Sequence, residues 1–109
     1  IPNGSDFPVE EINPLLGFYA AVVRKDTKGY PEGGFQLEER LTREQALRAM
    51  TIWAAKAGFE ENEIGSLAPG KNADFVVLER DIMEIPGDEL YKVKVLETWL
   101  NAVKVYDAK

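Results

Sequence analysis

Gly65-Ser66-Leu67-Ala68-Pro69-Gly70-Lys71-Asn72-Ala73-Asp74-Phe75-Val76-Val77-Leu78 decides the fold. Residues 74–79 are β-branched and aromatic, the composition of a strand. The residues before them carry turn chemistry: Gly65 and Gly70 supply backbone freedom, Pro69 stiffens the turn, and Asp74 can bond nearby amides before the strand begins. Gly65-x-x-x-x-Gly70-Lys71 also fits the first seven positions of a phosphate-binding P-loop. That motif next requires Ser or Thr for a magnesium ion, and Asn72 stands there. A P-loop follows a strand and opens a helix. This tract precedes a strand and contains Pro69, so it is a turn feeding a strand.

Downstream, residues 86–90 form a loop or short helical turn, and residues 93–100 and 103–106 form two further strands. Only Asn101-Ala102 separates these two, which predicts a tight hairpin. Ala102 is an uncomfortable choice there, because a side chain resists positive φ. Upstream, Thr42 opens a helix with Gln45 three residues on, a capping box. Leu47, Met50 and Ala54 recur at helical spacing, with Ala46, Trp53 and Ala57 alongside. Gly58 should end that helix in the left-handed position. Residues 26–41 are a glycine-rich loop. Asn13-Pro14 starts an earlier helix, running to about residue 24. Its Leu15, Leu16, Phe18, Tyr19, Val22 and Val23 cover more than one face, the pattern of a helix buried against other elements. Residues 1–8 look like the exit of a strand into a turn. The character of the chain thus changes near residue 64, from helical to β. Three strands leave open edges, which folded proteins cover or pair, so partner strands from elsewhere are expected.

At 109 residues the chain is at most one domain's length. A hydrophobic fraction of 45% argues against disorder. The net charge of −6 argues against a nucleic-acid partner, which needs clustered Lys and Arg. Glu10-Glu11, Glu38-Glu39 and Glu60-Glu61 are expected on the solvated surface. The chain has no cysteine and no histidine, so it holds no disulfide, thiolate zinc site or cysteine nucleophile. No apolar run nears the ~20 residues that span a bilayer. No membrane partner is expected, and a cytoplasmic location is. Residue 1 is Ile and no signal-peptide pattern follows, so a chain either processed or cut from a longer parent is expected.

The 65–78 tract, with its Gly-Ser-Leu, Gly-Lys and Ala-Asp spacing before a Val-rich strand, resembles the entry to the small β domain of metal-dependent amidohydrolases. Gly4-Ser5-Asp6-Phe7-Pro8 resembles the form that ends the last barrel strand in the amidohydrolase-3 subgroup, of the formamide-deformylase and D-aminoacylase kind. Asn13-Pro14, the end of the first helix at Ala20-Ala21-Val22-Val23-Arg24, the 41–47 stretch, Thr51 and the closing 97–106 hairpin resemble the same subgroup in the same order. The likeness covers nearly the whole chain. It departs at Ala102, where the family usually has Gly.

The resemblance implies an α/β architecture. Residues 1–64 would be the end of strand eight of a (β/α)8 barrel with the helices that follow. Residues 65–109 would be the C-terminal strands of a composite β-sandwich whose other strands come from earlier in the protein. Gly65, Gly70, Lys71 and Asp74 would be a structural motif. Asp6 would be the metal-associated carboxylate and general acid–base, at the strand end where such barrels place their chemistry. A divalent metal, zinc or similar, lowers the pKa of its water and creates a nucleophile. The His-x-His pair, bridging Lys or Glu and later histidines would lie upstream of residue 1. The substrate would be a small amide, N-acyl or formamide-like molecule, the partner would be the remainder of the parent chain, and the segment alone would be inert. Arg24 is a candidate clamp for a substrate carboxylate; as a helix-terminal cation it also suits the helix dipole. Trp53 and Trp99 are expected in the core rather than lining a pocket. Two alternatives stand beside this reading: a non-catalytic α/β interaction module, and a relative that deaminates a ring.

Overall fold

The computed structural model describes residues 1–6, 8 and 12–109. Phe7 of the Gly4–Pro8 motif and the Glu10-Glu11 pair lie outside the described residues. Among those described, a mixed architecture of three α-helices and one three-stranded sheet appears.

Helix α1 spans Pro14–Val23. Asn13 caps it as expected: its side-chain oxygen accepts from the Leu15 amide at 3.0 Å, and Pro14 takes the first helical position, where no amide is missed. Arg24 closes the helix in the left-handed region at φ 62°, donating its amide to the Ala20 carbonyl. The loop expected over 26–41 contains a short 3-10 turn at Leu37–Glu39.

Helix α2 spans Arg43–Met50. The capping box is complete in both directions, with Gln45 N–H on Thr42 Oγ1 at 3.1 Å and Thr42 N–H on Gln45 Oε1 at 2.9 Å. Glu44 and Arg48 pair at 3.0 Å on the exposed side. The single helix expected from Thr42 to Gly58 is instead broken at Thr51, where φ −123° and ψ −96° leave the helical region, and α3 spans Ile52–Ala57. The cause is local. The Thr51 hydroxyl donates to the Leu47 carbonyl at 2.6 Å, a back-bond that bends helices. Gly58 is not the left-handed residue either. Its φ is −89°, and the next residue, Phe59, takes φ 60°. Phe59 N–H then reaches the Lys56 carbonyl and Glu60 N–H the Ala55 carbonyl, the two bonds of a Schellman end displaced by one residue.

Strands β1 (Phe75–Leu78), β2 (Val95–Leu100) and β3 (Val103–Asp107) form an antiparallel sheet in sequence order. Phe75 faces Trp99 across the first pair, and their rings stack with centroids 5.5 Å apart. Asn101 and Ala102 both take positive φ, 49° and 66°, so the hairpin turn is of the expected primed kind, alanine included. Asp74 is what holds it. Its Oδ1 accepts from the Asn101 amide at 2.7 Å, and the Ala73 carbonyl accepts from the Ala102 amide at 3.0 Å. The amide that Asp74 satisfies is therefore distant in sequence rather than local.

The core does not lie under the sheet. It joins Leu15, Phe18 and Tyr19 of α1 and Ala46 of α2 to Ile82, Ile85, Leu90 and Val93 of the β1–β2 connection. That connection contains a 3-10 turn at Gly87–Lys92, within the expected loop region. Phe18 and Leu90 are the largest fully buried side chains. Arg43 Nη1 adds a polar tie to the Ile82 carbonyl at 2.9 Å. Glu38, Glu39 and Glu60 are exposed as expected, whereas Glu61 is half-buried, with Oε2 shielded and without a protein partner among the described residues.

The turn before β1 docks onto α3. Gly65 has φ 95°, and a Cβ there would stand 2.7 Å from the Ala55 Cβ and 3.1 Å from the Ile52 Cα. Gly70 has φ 91° and open space around it. Replacing Gly70 by Ala should cost about 1 kcal/mol for the backbone conformation alone. Gly65→Ala adds overpacking of roughly 1–3 kcal/mol. Urea denaturation should therefore rank Gly65→Ala well below Gly70→Ala; equal midpoints would contradict the docking. Ala102→Gly should raise stability by about 1 kcal/mol, since it removes the positive-φ penalty, and the same denaturation series measures it.

Candidate functional site: a cleft beside Asp6

Asp6 sits in a turn at φ 52°, with its side chain exposed. The left-handed region is one that Asp tolerates better than most residues. The preceding segment carries no strand pairing in the structure. It is held to the helices by the Asn3 amide, which donates to the Ala49 carbonyl at 2.8 Å. Ser5, immediately before Asp6, is half-buried and forms one wall of a cleft of about 520 Å³. Leu16, Gly17 and Ala20 of α1 and Lys25, Asp26 and Thr27 of the loop that follows it also line this cleft.

The loop that contributes Lys25, Asp26 and Thr27 is held by hydrogen bonds. The Tyr19 hydroxyl donates to the Asp26 carbonyl at 2.9 Å. The Asp26 carboxylate accepts the Lys28 amide at 2.8 Å and the Tyr30 amide at 3.0 Å. The Tyr30 amide is the main reason the Asp26 carboxyl lies below its ordinary pKa, with the Lys28 amide and the Lys28 charge acting in the same direction. Burial pushes the Tyr19 phenol up, with Tyr91, Asp26 and Asp88 reinforcing it.

Arg24 is engaged at the base of this loop. Its Nε donates to the Phe35 carbonyl at 2.9 Å, its own carbonyl accepts the Phe35 amide at 2.8 Å, and its guanidinium lies 5.8 Å from the Phe35 ring centroid. It does not line the cleft; the next residue, Lys25, does. Lys25 carries no sequence signal beyond its place after a helix end, so only the folded loop brings it to notice.

Gly65 and Asp74 line a second, more open groove of about 1020 Å³ between α2–α3 and the sheet. Its walls are mostly apolar, including Leu47, Met50, Ile64 and Phe75. Trp99 lines it too, half-buried, with Nε1 donating to Glu97 Oε1 at 2.9 Å, so this tryptophan is not a closed core residue. Trp53 is half-buried as well. The tract 65–78 is followed by strand β1 rather than a helix, in keeping with its rejection as a P-loop. Lys71 N–H closes the turn on the Ala68 carbonyl at 3.2 Å. No helix is long and apolar enough to cross a membrane among the described residues.

Among the described residues, no three His, Cys, Asp or Glu side chains come together in a way that could hold a metal ion. A lone carboxylate at Asp6 can serve as one oxygen ligand and does not make a cation site.

The chain is similar to known proteins over nearly its whole length. Residues 1–106 match the amidohydrolase family profile. The chain is 40% identical over 106 residues to the protein LONG AFTER FAR-RED 3 of Arabidopsis thaliana, covering 94% of this chain and 17% of that protein. It is 33% identical over 104 residues to the putative amidohydrolase YtcJ of Bacillus subtilis, covering 95% and 20%. It is 34% identical over 103 residues to the N-substituted formamide deformylase of Arthrobacter pascens, covering 94% and 18%. The crystal structure of an amidohydrolase from Thermotoga maritima superposes with a TM-score of 0.52 at 31% identity, over 65% of this chain and 17% of that one. The chain spans a fifth or less of the length of these relatives. With a family match over nearly its whole length and a solved amidohydrolase of the same local fold, this chain belongs to the amidohydrolase family.

Proposed function

We propose that the chain is the C-terminal part of an amidohydrolase-3-type enzyme that hydrolyses a C–N bond in a small amide, N-acyl or formamide-like substrate. Residues 1–64 would belong to the end of the barrel and residues 65–109 to the small β domain. The observation that carries the reading is the placement of Asp6: an exposed carboxylate on a turn, next in sequence to a residue that walls a cleft of about 520 Å³. That volume is within the usual range for a small-molecule site. The similarity to an N-substituted formamide deformylase supports the substrate class.

In this role the Asp6 carboxylate takes a proton from the attacking water and returns it to the departing nitrogen, general acid–base catalysis by a positioned side chain. A bound divalent metal would supply the acidity that makes water a nucleophile near neutral pH. Asp6 would be one oxygen ligand, and the other ligands would come from parts of the protein outside this chain, which has no histidine and in which the described residues bring no three candidate ligands together. Arg24 would meet a substrate carboxylate only through its terminal nitrogens, since its Nε is bonded to the Phe35 carbonyl.

The test is Asp6→Asn in the full-length protein, assayed on an N-substituted formamide with folding checked by circular dichroism. The rate should drop about 10²–10⁴-fold, the ordinary worth of such a group. A folded variant that hydrolyses at the parental rate would remove Asp6 from the mechanism.

A further inference from the structure

The break between α2 and α3 leaves a backbone acceptor for the segment that carries Asp6. The Thr51 hydroxyl donates to the Leu47 carbonyl at 2.6 Å, and the Thr51 amide falls back to the Arg48 carbonyl at 3.2 Å. In an unbroken helix the Ala49 carbonyl would accept from the amide four residues on, that of Trp53. That amide lies beyond the break, in α3. Ala49 is 1% exposed, so its carbonyl is shut off from water and needs a protein donor. The Asn3 amide is that donor, at 2.8 Å. More protein around this chain would only deepen the burial, so the need for the bond is set within the chain itself.

Asn3 stands three residues before Asp6. Three residues of chain span at most about 10 Å, so a tether at Asn3 limits where the Asp6 carboxylate can go. Among the described residues, this is the one hydrogen bond that residues 1–6 make. The same residue lies against the first helix, where a Cβ at Gly17 would stand 3.7 Å from the Asn3 side-chain nitrogen. We propose that Thr51 is a positioning residue for Asp6. Its hydroxyl breaks the helix, and the break frees the Ala49 carbonyl to hold the segment that carries the carboxylate. The assignment rests on the reading of Asp6 as the general acid–base.

The test places Thr51→Val and Thr51→Ser in the full-length protein, with and without Asp6→Asn, and uses N-benzylformamide as substrate. Valine keeps the shape of the side chain and removes the hydroxyl; serine keeps the hydroxyl. Thr51→Val should lower kcat about tenfold or more with KM little changed, since misplacing reacting groups by about 1 Å costs up to about 10²-fold. Thr51→Ser should recover most of that loss. In the Asp6→Asn background Thr51→Val should cost no further rate, because residues that act as a unit are not additive. Parental kcat in Thr51→Val overturns the proposal. So does an equal fractional loss with and without the carboxylate, the mark of general damage to the fold. Asn3→Pro removes the donor itself and leaves the helices alone. It should reproduce the fall in kcat, it carries the test if Thr51→Val does not fold, and parental kcat in it also overturns the proposal. If the parent does not cleave N-benzylformamide, or Asp6→Asn is fully active, the reading of Asp6 has failed, and the tether is judged by hydrogen exchange. The peptide containing Asn3 should then exchange faster in Thr51→Val than in the parent or Thr51→Ser; equal exchange overturns the tether as well.

Discussion

The burial of Phe18 against Leu90 and its neighbours ties the chain together. These two side chains are 1% and 0% exposed, and each contributes roughly 1.5–3 kcal/mol by leaving water. Phe18 belongs to the helix that lines the cleft. Leu90 belongs to the connection that joins the first two strands. Beside them the Tyr19 and Tyr91 rings meet edge to face at 5.1 Å. One hydrophobic contact thus fixes α1 relative to the sheet, although α1 and the sheet themselves share little surface. The same helix carries Tyr19 outward to Asp26, so the position of the cleft wall is inherited from the core.

Much of this was legible from residue types and spacing. Asn13-Pro14, the Thr42–Gln45 box, the Asn101-Ala102 hairpin and the positive φ at Gly65 and Gly70 are all local, short-range chemistry. Each needs only a neighbour three or four residues away, or a backbone angle that one residue type tolerates. The failures were also local, but they turned on competition. Thr51 looked like an ordinary helical residue until its hydroxyl was seen taking the Leu47 carbonyl. Gly58 looked like the natural stop, yet Phe59 accepted the left-handed position with its ring in solvent at 91% exposure. Nothing in residue types says which of two adjacent positions will bear that angle.

The site was legible in a different way. Asp6 stood out because of the pattern around it, and the structure leaves its side chain exposed. Lys25, Asp26 and Tyr19 gave no such signal. They come together only because α1 ends where it does and the chain turns back at Arg24, whose left-handed angle and two hydrogen bonds with Phe35 close the loop. The role of Asp74 was half visible. Its amide-binding capacity follows from its type, whereas its partner, the Asn101 amide, lies 27 residues away and is set by the sheet. What reads as a family motif is in physical terms a staple between a turn and a distant hairpin.

Strand β3 is exposed along its whole length, with Val103, Val105 and Tyr106 each about half or more open to water. Among the described residues no strand pairs with its outer edge, and an unpaired edge beside apolar side chains is the surface on which chains adhere and fibrils start. A solitary copy of this stretch would be a sticky object at high concentration. Any gene rearrangement that severed it from its neighbours would create a solubility problem before it created a catalytic one.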